Sequence, residues 1–339
     1  MNSIDIASAC DPRLLRDLQG ALPRLPAGTA VGVALSAGAD SAMLALHAAQ
    51  AARARGWMIH CFHVHHGLQT EADAWLCQAH RLAALLRVSC HSRRVRVDAQ
   101  GLGMEAAARE ARYEALAELA SLAGVGHVLL AHHLDDQAET VLLRLLRGAG
   151  PEGLAAMAPV TLRDGLVYHR PWLDEPRARI LACAARFAAE TGWRPVQDPS
   201  NGDTRFARAM VRAQLAPLLD TRWPAWRRTL GRHARQAREL ASWQADVSAQ
   251  DFAGLDPAPD GRSFSLLAWR ALPAVRQAPV LRYWLRRLGL RMPADARLQA
   301  WLRQFREVHA LGHDRAVQLR HVDVWIVVRR GRVTVVNAS

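Results

Sequence analysis

The first 150 residues of the chain alternate between short apolar runs and longer segments with helical periodicity. Each apolar run precedes a helical pattern, and the runs are Val31–Leu35, Met58–Val64, Val88–Val97 and His127–Ala131. Strands that alternate with helices of this length form βαβ units, in which a parallel sheet is covered on both faces. The alternation therefore predicts an α/β domain whose ligands bind beyond the carboxyl ends of its strands.

The rest of the chain has a different pattern. Helices are predicted over 174–191 and about 205–219, and Trp223-Pro224 then marks a boundary. After it come an Arg-rich helix over 225–250, helices near 266–288 and 294–308, and a strand pair within 315–336. We therefore expect two domains, a catalytic one over 1–221 and a mainly helical one over 222–339 that ends in a small strand pair.

The positive charge of the chain is concentrated in its second part. The formal net charge is +13, and all 44 basic residues are arginine. Residues 1–221 hold 23 arginines against 22 acids, whereas residues 222–339 hold 21 against 9. A GC-rich genome accounts for the missing lysines but not for the shortage of acids. The asymmetry favours nucleic acid as a partner, contacted through phosphate by arginines of the predicted 225–250 helix, namely Arg227, Arg228 and Arg232.

Other features exclude several classes of protein. There is no run of 18 or more uncharged apolar residues, so we expect no membrane span. Residues 1–11 lack the basic start and apolar core of a secretion signal. The five cysteines are scattered and never spaced Cys-x-x-Cys, which fits a reducing cytoplasm and gives no indication of a zinc site or iron–sulfur cluster. We expect a cytoplasmic protein; the sequence leaves its oligomeric state open.

The first strand runs into a turn of small residues, Ser36-Ala37-Gly38-Ala39-Asp40-Ser41, and a helix begins at once. Free backbone N–H groups and the positive end of the helix make such a turn an anion site. Ser36 and Ser41 add hydroxyl donors, and Asp40 adds the carboxylate that a magnesium nucleotide needs. The turn is neither a Walker A loop nor a G-x-G-x-x-G fingerprint. It predicts a phosphate site of another kind.

A second polar cluster, His132–Thr140, follows the fourth strand. Asp136 and Glu139 stand three residues apart, so they share one face of the predicted helix. Asp135 is interpreted as an ordinary residue of the helix N-terminus, where the dipole favours anions. A carboxylate pair directly after two histidines could hold magnesium or clasp an ammonium group. The residues alone leave both interpretations open.

Three pairs of arginines have a spacing that suits phosphate. They are Arg109 with Arg112, Arg144 with Arg147, and Arg208 with Arg212. The first pair lies beside Tyr113, and ion pairs with Glu105 and Glu110 explain its spacing equally well. The second pair precedes a further small-residue loop that begins at Gly148.

These blocks, taken in order, resemble the bacterial tRNA(Ile)-lysidine synthase family, which are pyrophosphate-loop (PP-loop) enzymes of the ATP pyrophosphatase superfamily. One block alone is weakly diagnostic, but seven in the right order over residues 28–220 are specific. They are the Ser36–Ser41 loop, His63–Leu68, Glu105 with Arg109, Arg112 and Tyr113, His132–Thr140, Arg147–Gly150, Arg170-Pro171, and Asp198 to Arg212 with Pro217. The resemblance implies a parallel-sheet PP-loop domain, of the adenine nucleotide alpha hydrolase-like fold, followed by a mainly helical domain.

The resemblance also implies a reaction and its site. ATP adenylates O2 of the wobble cytidine in a tRNA(Ile) with a CAU anticodon, pyrophosphate leaves, and the ε-amine of free L-lysine attacks C2 and displaces AMP. The catalytic residues would be Asp40, His132, Asp136 and Glu139, with His132 near the adenylated base and Asp136 and Glu139 on the lysine ammonium. ATP would contact Ser36, Ala37, Gly38, Ala39, Asp40, Ser41 and Gly148, with Mg²⁺ on Asp40. Arg109, Arg112, Arg208 and Arg212 would contact phosphate or tRNA.

Two positions depart from the family pattern. Ala37 stands where the loop usually has glycine, and Ala209 stands where an asparagine usually precedes the second arginine. If position 37 needs a positive φ, alanine there is strained. Because of these departures, a tRNA-binding protein with an inactive loop stays an alternative. A tRNA thiolase of the same superfamily is a further alternative, although no cysteines are suitably spaced for sulfur transfer.

Overall fold

The computed structural model describes residues 6–67, 69–97, 103–307 and 317–337. Leu68 of the second family block, residue 308 of a predicted helix and residues 315–316 of the predicted strand pair lie outside these ranges. Contacts within the chain divide it into two units, Met1–Arg238 and Glu239–Ser339. The functional boundary at residue 221 stays a prediction.

The first unit is built on a six-stranded sheet. Its strands are β1 (Ala30–Ala34), β2 (Met58–His65), β3 (Ser89–Arg94), β4 (His127–Leu129), β5 (Val160–Arg163) and β6 (Leu166–His169). Their order is β3-β2-β1-β4-β6-β5, and every neighbouring pair is parallel except β5 and β6. The predicted α/β class is confirmed. The β5–β6 hairpin is an addition, and its Asp164-Gly165 turn, with positive φ at both residues, is the signal that the sequence pattern offered for it.

The strands of the first unit are connected and covered by helices. They are α1 (Ile6–Ala9), α2 (Pro12–Ala21), α3 (Ala39–Arg55), α4 (Ala72–Leu86), α5 (Met104–Leu122), α6 (Leu134–Leu146), α7 (Pro151–Leu154), α8 (Arg177–Thr191), α9 (Ala207–Met210), α10 (Ala216–Arg222) and α11 (Trp226–Ala253), which continues into the second unit. No described helix is both long and apolar enough to cross a bilayer. The predicted helix over 205–219 is present as a continuous helical segment from Ala207 to Arg222, but it is not one regular α-helix. A π-helical turn, Val211–Leu215, separates α9 from α10, because Pro217 has no N–H to continue an α-helical ladder.

Apolar cores on both faces of the sheet fix the position of β1. One core packs α2, α3, α4 and α8 against β1 and β2, and the other packs α5 against β2, β4 and β6. At Gly32 a Cβ would lie 2.5 Å from the Phe62 ring, so only glycine lets that ring cover β1. β1 pairs with β4, and Val33 lies opposite Leu129. The turns that leave the carboxyl ends of these two strands are therefore neighbours.

The second unit combines helices with a small antiparallel sheet. Its helices are α12 (Leu266–Ala271), α13 (Ala274–Arg287) and α14 (Asp295–Glu307), and its strands are β7 (Ser263–Ser265), β8 (Val317–His321), β9 (Val324–Arg329) and β10 (Arg332–Asn337). The strand order is β7-β10-β9-β8, so the predicted strand pair is incomplete. β7 has three residues, too few to show a period of two. Trp269, Trp284 and Trp301 are buried in the core of this unit.

Candidate active site

The turn between β1 and α3 is held by its own two serines. The hydroxyl oxygens of Ser36 and Ser41 are 3.0 Å apart, and the Ser41 hydroxyl accepts from the Ser36 N–H at 3.1 Å. The same hydroxyl donates to the carbonyl oxygen of Gly38, the residue that caps α3. These bonds fix a loop ahead of the positive end of a 17-residue helix, with Ser36 exposed at its start. An anion is stabilised at such a position.

Both departures from the family pattern lie at buried positions. Ala37 has a φ of +63°, and its carbonyl oxygen accepts from the N–H of Val196 at 3.0 Å. A non-glycine residue in this conformation costs about 1 kcal/mol. The Ala37 methyl is fully buried in the core under α3, which stabilises the fold by about 0.8 kcal/mol. The predicted strain is present, and the core offsets most of it. Ala209 is also buried, so the side-chain amide that the family pattern has at this position would lie inside the protein.

Asp40 lies in the first turn of α3 and is bound by two basic groups from elsewhere in the chain. Arg177, at the start of α8, donates to its carboxylate from Nε at 3.3 Å and from Nη2 at 3.2 Å. Nε2 of His133 lies 3.8 Å from Oδ2 of Asp40. Burial would raise the pKa of this carboxyl, but His133 and Arg177 hold it below its ordinary value. Asp40 is therefore an ionised group with its charge already balanced.

His133 connects Asp40 to α6. As the N-cap of this helix, it donates its own N–H to Oδ2 of Asp136 at 3.1 Å, and its Nδ1 accepts from the N–H of Asp136 at 3.4 Å. The ring proton then belongs on Nε2, which lies 3.3 Å from the same carboxylate oxygen. Burial works against charge on this imidazole, but the surrounding carboxylates, including Asp40 and Asp136, raise the pKa of His133 above its ordinary value.

Asp136 and Glu139 share a helix face as predicted, and the cation they hold is Arg212. Nη2 of Arg212 donates to Oδ1 of Asp136 at 3.0 Å, and Nε donates to Oε1 of Glu139 at 2.6 Å. Within the described chain, Oε2 of Glu139 is buried without a hydrogen-bond partner. Burial raises the pKa of Glu139 in spite of the arginine. The sequence predicts Arg212 as a phosphate ligand, whereas the structure places it on these two carboxylates.

Four arginines form a group that we call the arginine cluster: Arg109, Arg112, Arg144 and Arg208. The pKa of Arg112 is lowered by burial among protein atoms and then by repulsion from Arg109 and Arg208. Arg112 is nevertheless exposed to solvent as a residue. In the described ranges, neither Arg109 nor Arg112 forms an ion pair with a carboxylate. Of the two acids named in the ion-pair alternative, Glu110 pairs with Arg163, and the side chain of Glu105 lies outside the described residues. An external anion would relieve the repulsion among the arginines.

Two neutral histidines face this cluster. His132 has a pKa lowered to about 3, first by burial and then by Arg170, Arg109 and Arg208, against the opposing effect of Asp136. His66 has a pKa lowered to about 4, by burial and then by Arg112. The Nδ1 atoms of both rings are buried and without partners among the described residues. Both imidazoles therefore offer unused hydrogen-bonding atoms without charge.

The loop after α6 is held by one member of the arginine cluster. Arg144 donates to the carbonyl oxygens of Gly153 at 2.7 Å and Ala156 at 3.2 Å. Gly148, predicted to contact ATP, has a φ of +74° in the turn that ends α6. In the described residues no hydrogen bond joins Gly148 to the Ser36–Ser41 loop, so its contact with ATP stays a prediction.

The arginines of α11 fall into two groups. Arg227 pairs with Asp135 at 2.9 Å and with Asp220, and it stacks on the Trp226 ring. Arg228 and Arg232 are exposed on the same helix. Of the three predicted phosphate contacts on α11, two are open to a partner and Arg227 is engaged in the fold.

From the sequence, no role is predicted for Arg177, His133 or Arg170, which contact the groups of this site. Arg177 lies 137 residues from Asp40, and only Pro176 marks it as the start of a helix. His133 stands within a quoted motif, but nothing in its spacing distinguishes it from His132. Arg170, 5% exposed, donates to the Thr161 hydroxyl at 2.8 Å and lies near His132. Such contacts depend on the tertiary fold and leave no periodicity in the sequence.

Magnesium fits this site only together with a nucleotide. Among the described residues, no group of three or more His, Cys, Asp or Glu side chains could hold a metal ion. Mg²⁺ is usually bound through one or two carboxylates together with substrate phosphates. Asp40, at the loop and beside the helix N-terminus, provides one such carboxylate.

The sequence of the chain is similar to those of known proteins in both of its parts. A model of the PP-loop domain matches residues 13–219, and a model of the TilS substrate binding domain matches residues 264–334. The tRNA(Ile)-lysidine synthase of Bordetella bronchiseptica is 55% identical over 330 residues, which cover 97% of this chain and 96% of that protein. The synthase of Bordetella pertussis is 57% identical over 309 residues, covering 91% and 96%.

A solved structure matches the fold. The U34-tRNA thiolase NcsA from Methanococcus maripaludis, with its 4Fe-4S cluster, has a TM-score of 0.54 and 14% identity, and the match covers 67% of this chain and 78% of that one. At this identity the likeness concerns the fold alone.

Proposed function

The chain belongs to the tRNA(Ile)-lysidine synthase family, and we propose that it converts the wobble cytidine of a tRNA(Ile) with a CAU anticodon to lysidine. ATP transfers its adenylyl group to O2 of the cytosine, and pyrophosphate leaves. The ε-amine of free lysine then attacks C2, loses a proton and displaces AMP. The observation that carries the proposal is a buried carboxylate pair, Asp136 and Glu139, that holds a cation beside a phosphate loop.

The Ser36–Ser41 loop binds the phosphates of ATP. Its backbone N–H groups and the N-terminus of α3 stabilise the negative charge. The carboxylate of Asp40, which Arg177 contacts in this structure, would hold Mg²⁺, and the metal would neutralise part of the charge on the departing pyrophosphate. A single ionised carboxylate at the loop supports this assignment.

The Asp136–Glu139 pair binds the lysine ammonium. The two side chains already hold one cationic group, the guanidinium of Arg212, by hydrogen bonds to Oδ1 of Asp136 and Oε1 of Glu139. The same pair could hold Mg²⁺, but a site that holds an arginine by directional hydrogen bonds suits a cationic amine better.

The arginine cluster and the basic regions bind the other anionic groups. Arg109, Arg112 and Arg208 orient the adenylyl phosphate or the RNA backbone, and His132 lies near the activated base as a neutral hydrogen-bonding group. Arg228 and Arg232 of α11, together with residues 264–334, bind the tRNA. The protein acts in the cytoplasm, where its tRNA, ATP and lysine are found.

A single assay tests the reaction. The purified chain is incubated with ATP, MgCl₂, labelled lysine and the CAU tRNA, each also omitted in turn. The expected result is AMP release that requires both tRNA and lysine, with label entering the tRNA one to one with AMP. AMP release that ignores lysine contradicts the proposal.

Control variants separate the alternatives. Asp40→Ala should abolish AMP release; no ATP consumption by the native chain would instead support an inactive loop. Replacing lysine by a sulfur donor tests for a thiolase. Burial raises the pKa of the Cys90 and Cys183 thiols to about 11, so they are poor nucleophiles, and no sulfur incorporation is expected.

A further inference from the structure

Arg212 already occupies the cation-binding position between the two carboxylates. The side chains of Asp136 and Glu139 are only 12% and 6% exposed. Arg212 takes one oxygen from each, and His133 takes the remaining oxygen of Asp136. Oε2 of Glu139 is buried and has no hydrogen-bond partner among the described residues. A lysine ammonium therefore reaches this pair only if Arg212 moves away.

The surroundings of Arg212 favour a second position for its guanidinium. Arg212 is 33% exposed and lies on the π-helical turn Val211–Leu215, four residues after Arg208 of the arginine cluster. A π turn holds one residue more than an α turn, so its relaxation reorients the side chains it carries. Phosphate bound in the arginine cluster would attract the guanidinium of Arg212 and give it a second partner.

A chain of charges connects the two substrate sites. Arg212 contacts Asp136, His133 lies between Asp136 and Asp40, and Arg177 contacts Asp40 at the phosphate loop. Nucleotide at the loop and cation at the carboxylate pair therefore act on the same set of groups.

We propose that Arg212 alternates between two partners: it occupies the cation site of Asp136 and Glu139 until nucleotide phosphate enters the arginine cluster, and it then moves to that phosphate. Lysine consequently binds only to the nucleotide-loaded enzyme. This inference rests on the proposed function, because it assumes that the carboxylate pair is the lysine site. It gives the reaction an order, with the amine admitted after the activating nucleotide.

Equilibrium binding of lysine to the full chain tests the proposal without turnover. Labelled lysine is titrated by equilibrium dialysis, with and without the α,β-methylene analogue of ATP and MgCl₂. In the native chain, the analogue should tighten lysine binding by about tenfold or more, since the apparent affinity scales with the population of the open state. Arg212→Met should bind lysine with the tighter affinity in both conditions.

Matched variants distinguish the removal of Arg212 from the carboxylate pair from a general loss of structure. Arg212→Lys keeps a cation on the carboxylates, so lysine binding should stay weak without the analogue. Arg205→Met removes an exposed arginine that pairs with Asp203 outside the site, and its binding should equal that of the native chain. The gain in Arg212→Met should be absent with Nε-acetyl-lysine, which has no side-chain ammonium. Thermal melting confirms that each variant is folded.

The outcomes distinguish this inference from the proposed function. Lysine that binds Arg212→Met no more tightly than the native chain, without the analogue, overturns the alternation of Arg212 even if lysine-dependent AMP release is intact. A native chain that binds no lysine with or without the analogue and shows no lysine-dependent AMP release overturns both. If Arg212→Met is unstable, Arg212→Gln takes its place with the same expectation.

Discussion

The carboxylate pair and the arginine cluster lie next to each other and treat charge in opposite ways. Asp136 and Glu139 are almost fully buried, and the chain supplies their counter-charge through Arg212. Arg109 and Arg112 have no carboxylate partner in the described ranges and are open to solvent. The carboxylate pair thus has its counter-charge without substrate, whereas Arg109 and Arg112 do not. If these are the substrate sites that we propose, lysine binds by exchange with Arg212 and phosphate binds by addition.

The largest effect is expected when one charge is removed from the arginine cluster. Arg112→Met should lower kcat/KM by about 100-fold, because one preorganised donor to a developing negative charge is lost. Its free energy of unfolding should stay the same or increase, since repulsion within the cluster decreases. Steady-state kinetics and urea unfolding measure both. A substantial loss of stability would show that Arg112 serves the fold and not an external anion.

Removing a charge from the carboxylate pair should have a smaller kinetic effect and a structural one. Glu139→Ala should raise the KM for lysine by about tenfold and leave the KM for ATP within about twofold, and it should lower the free energy of unfolding by about 1–3 kcal/mol because Arg212 loses a partner. KM values from AMP release, with each substrate varied in turn, check this result. Equal increases for both substrates would point to Mg²⁺ at this pair.

Two adjacent histidines, His132 and His133, should contribute to stability with opposite pH dependence. His132 has a folded-state pKa of about 3, so its contribution to stability is present above pH 6.5 and is lost as the pH falls from there. His133 has a raised folded-state pKa, so its contribution is fully present below pH 6.5 and is lost as the pH rises from there through the folded-state pKa.

Urea unfolding between pH 4 and pH 8 measures the difference. Relative to the native chain, His132→Gln should gain stability on acidification, by at most about 1.4 kcal/mol per pH unit, and His133→Gln should gain it on alkalinisation. His233→Gln, on the exposed side of α11, should parallel the native chain. The same pH trend for both site variants would remove the electrostatic contrast between the two regions.

The smallest effect concerns cations outside the site. Arg228→Ala with Arg232→Ala should reduce the salt dependence of tRNA binding by about 0.7–0.9 in slope per lost phosphate contact, and protein stability should not change. Arg227→Ala should instead destabilise the fold, since its partners are Asp135 and Asp220. Filter binding across a salt series distinguishes them; an unchanged slope in the double variant would remove α11 from the RNA interface.

The sequence predicts those parts of the site that are local in the chain. The Ser36–Ser41 turn and the shared face of Asp136 and Glu139 depend on a strand end and on helical spacing, and both are present as expected. The partners of these groups are not local. Arg212 lies 73 residues beyond Glu139, and it faces the pair from a π turn that the helical pattern does not indicate. Spacing predicts which groups share a surface, but only the fold determines which charges meet.

The chemical identity of the resident cation has a consequence for the fidelity of the reaction. A guanidinium stays protonated at every physiological pH and is a poor nucleophile, so Arg212 can occupy the proposed lysine site without reacting. An amine held there permanently would be positioned against the activated base and would compete with the free amino acid. The chain contains no lysine at all, and none of its own side chains can therefore serve as the substrate in place of the free molecule.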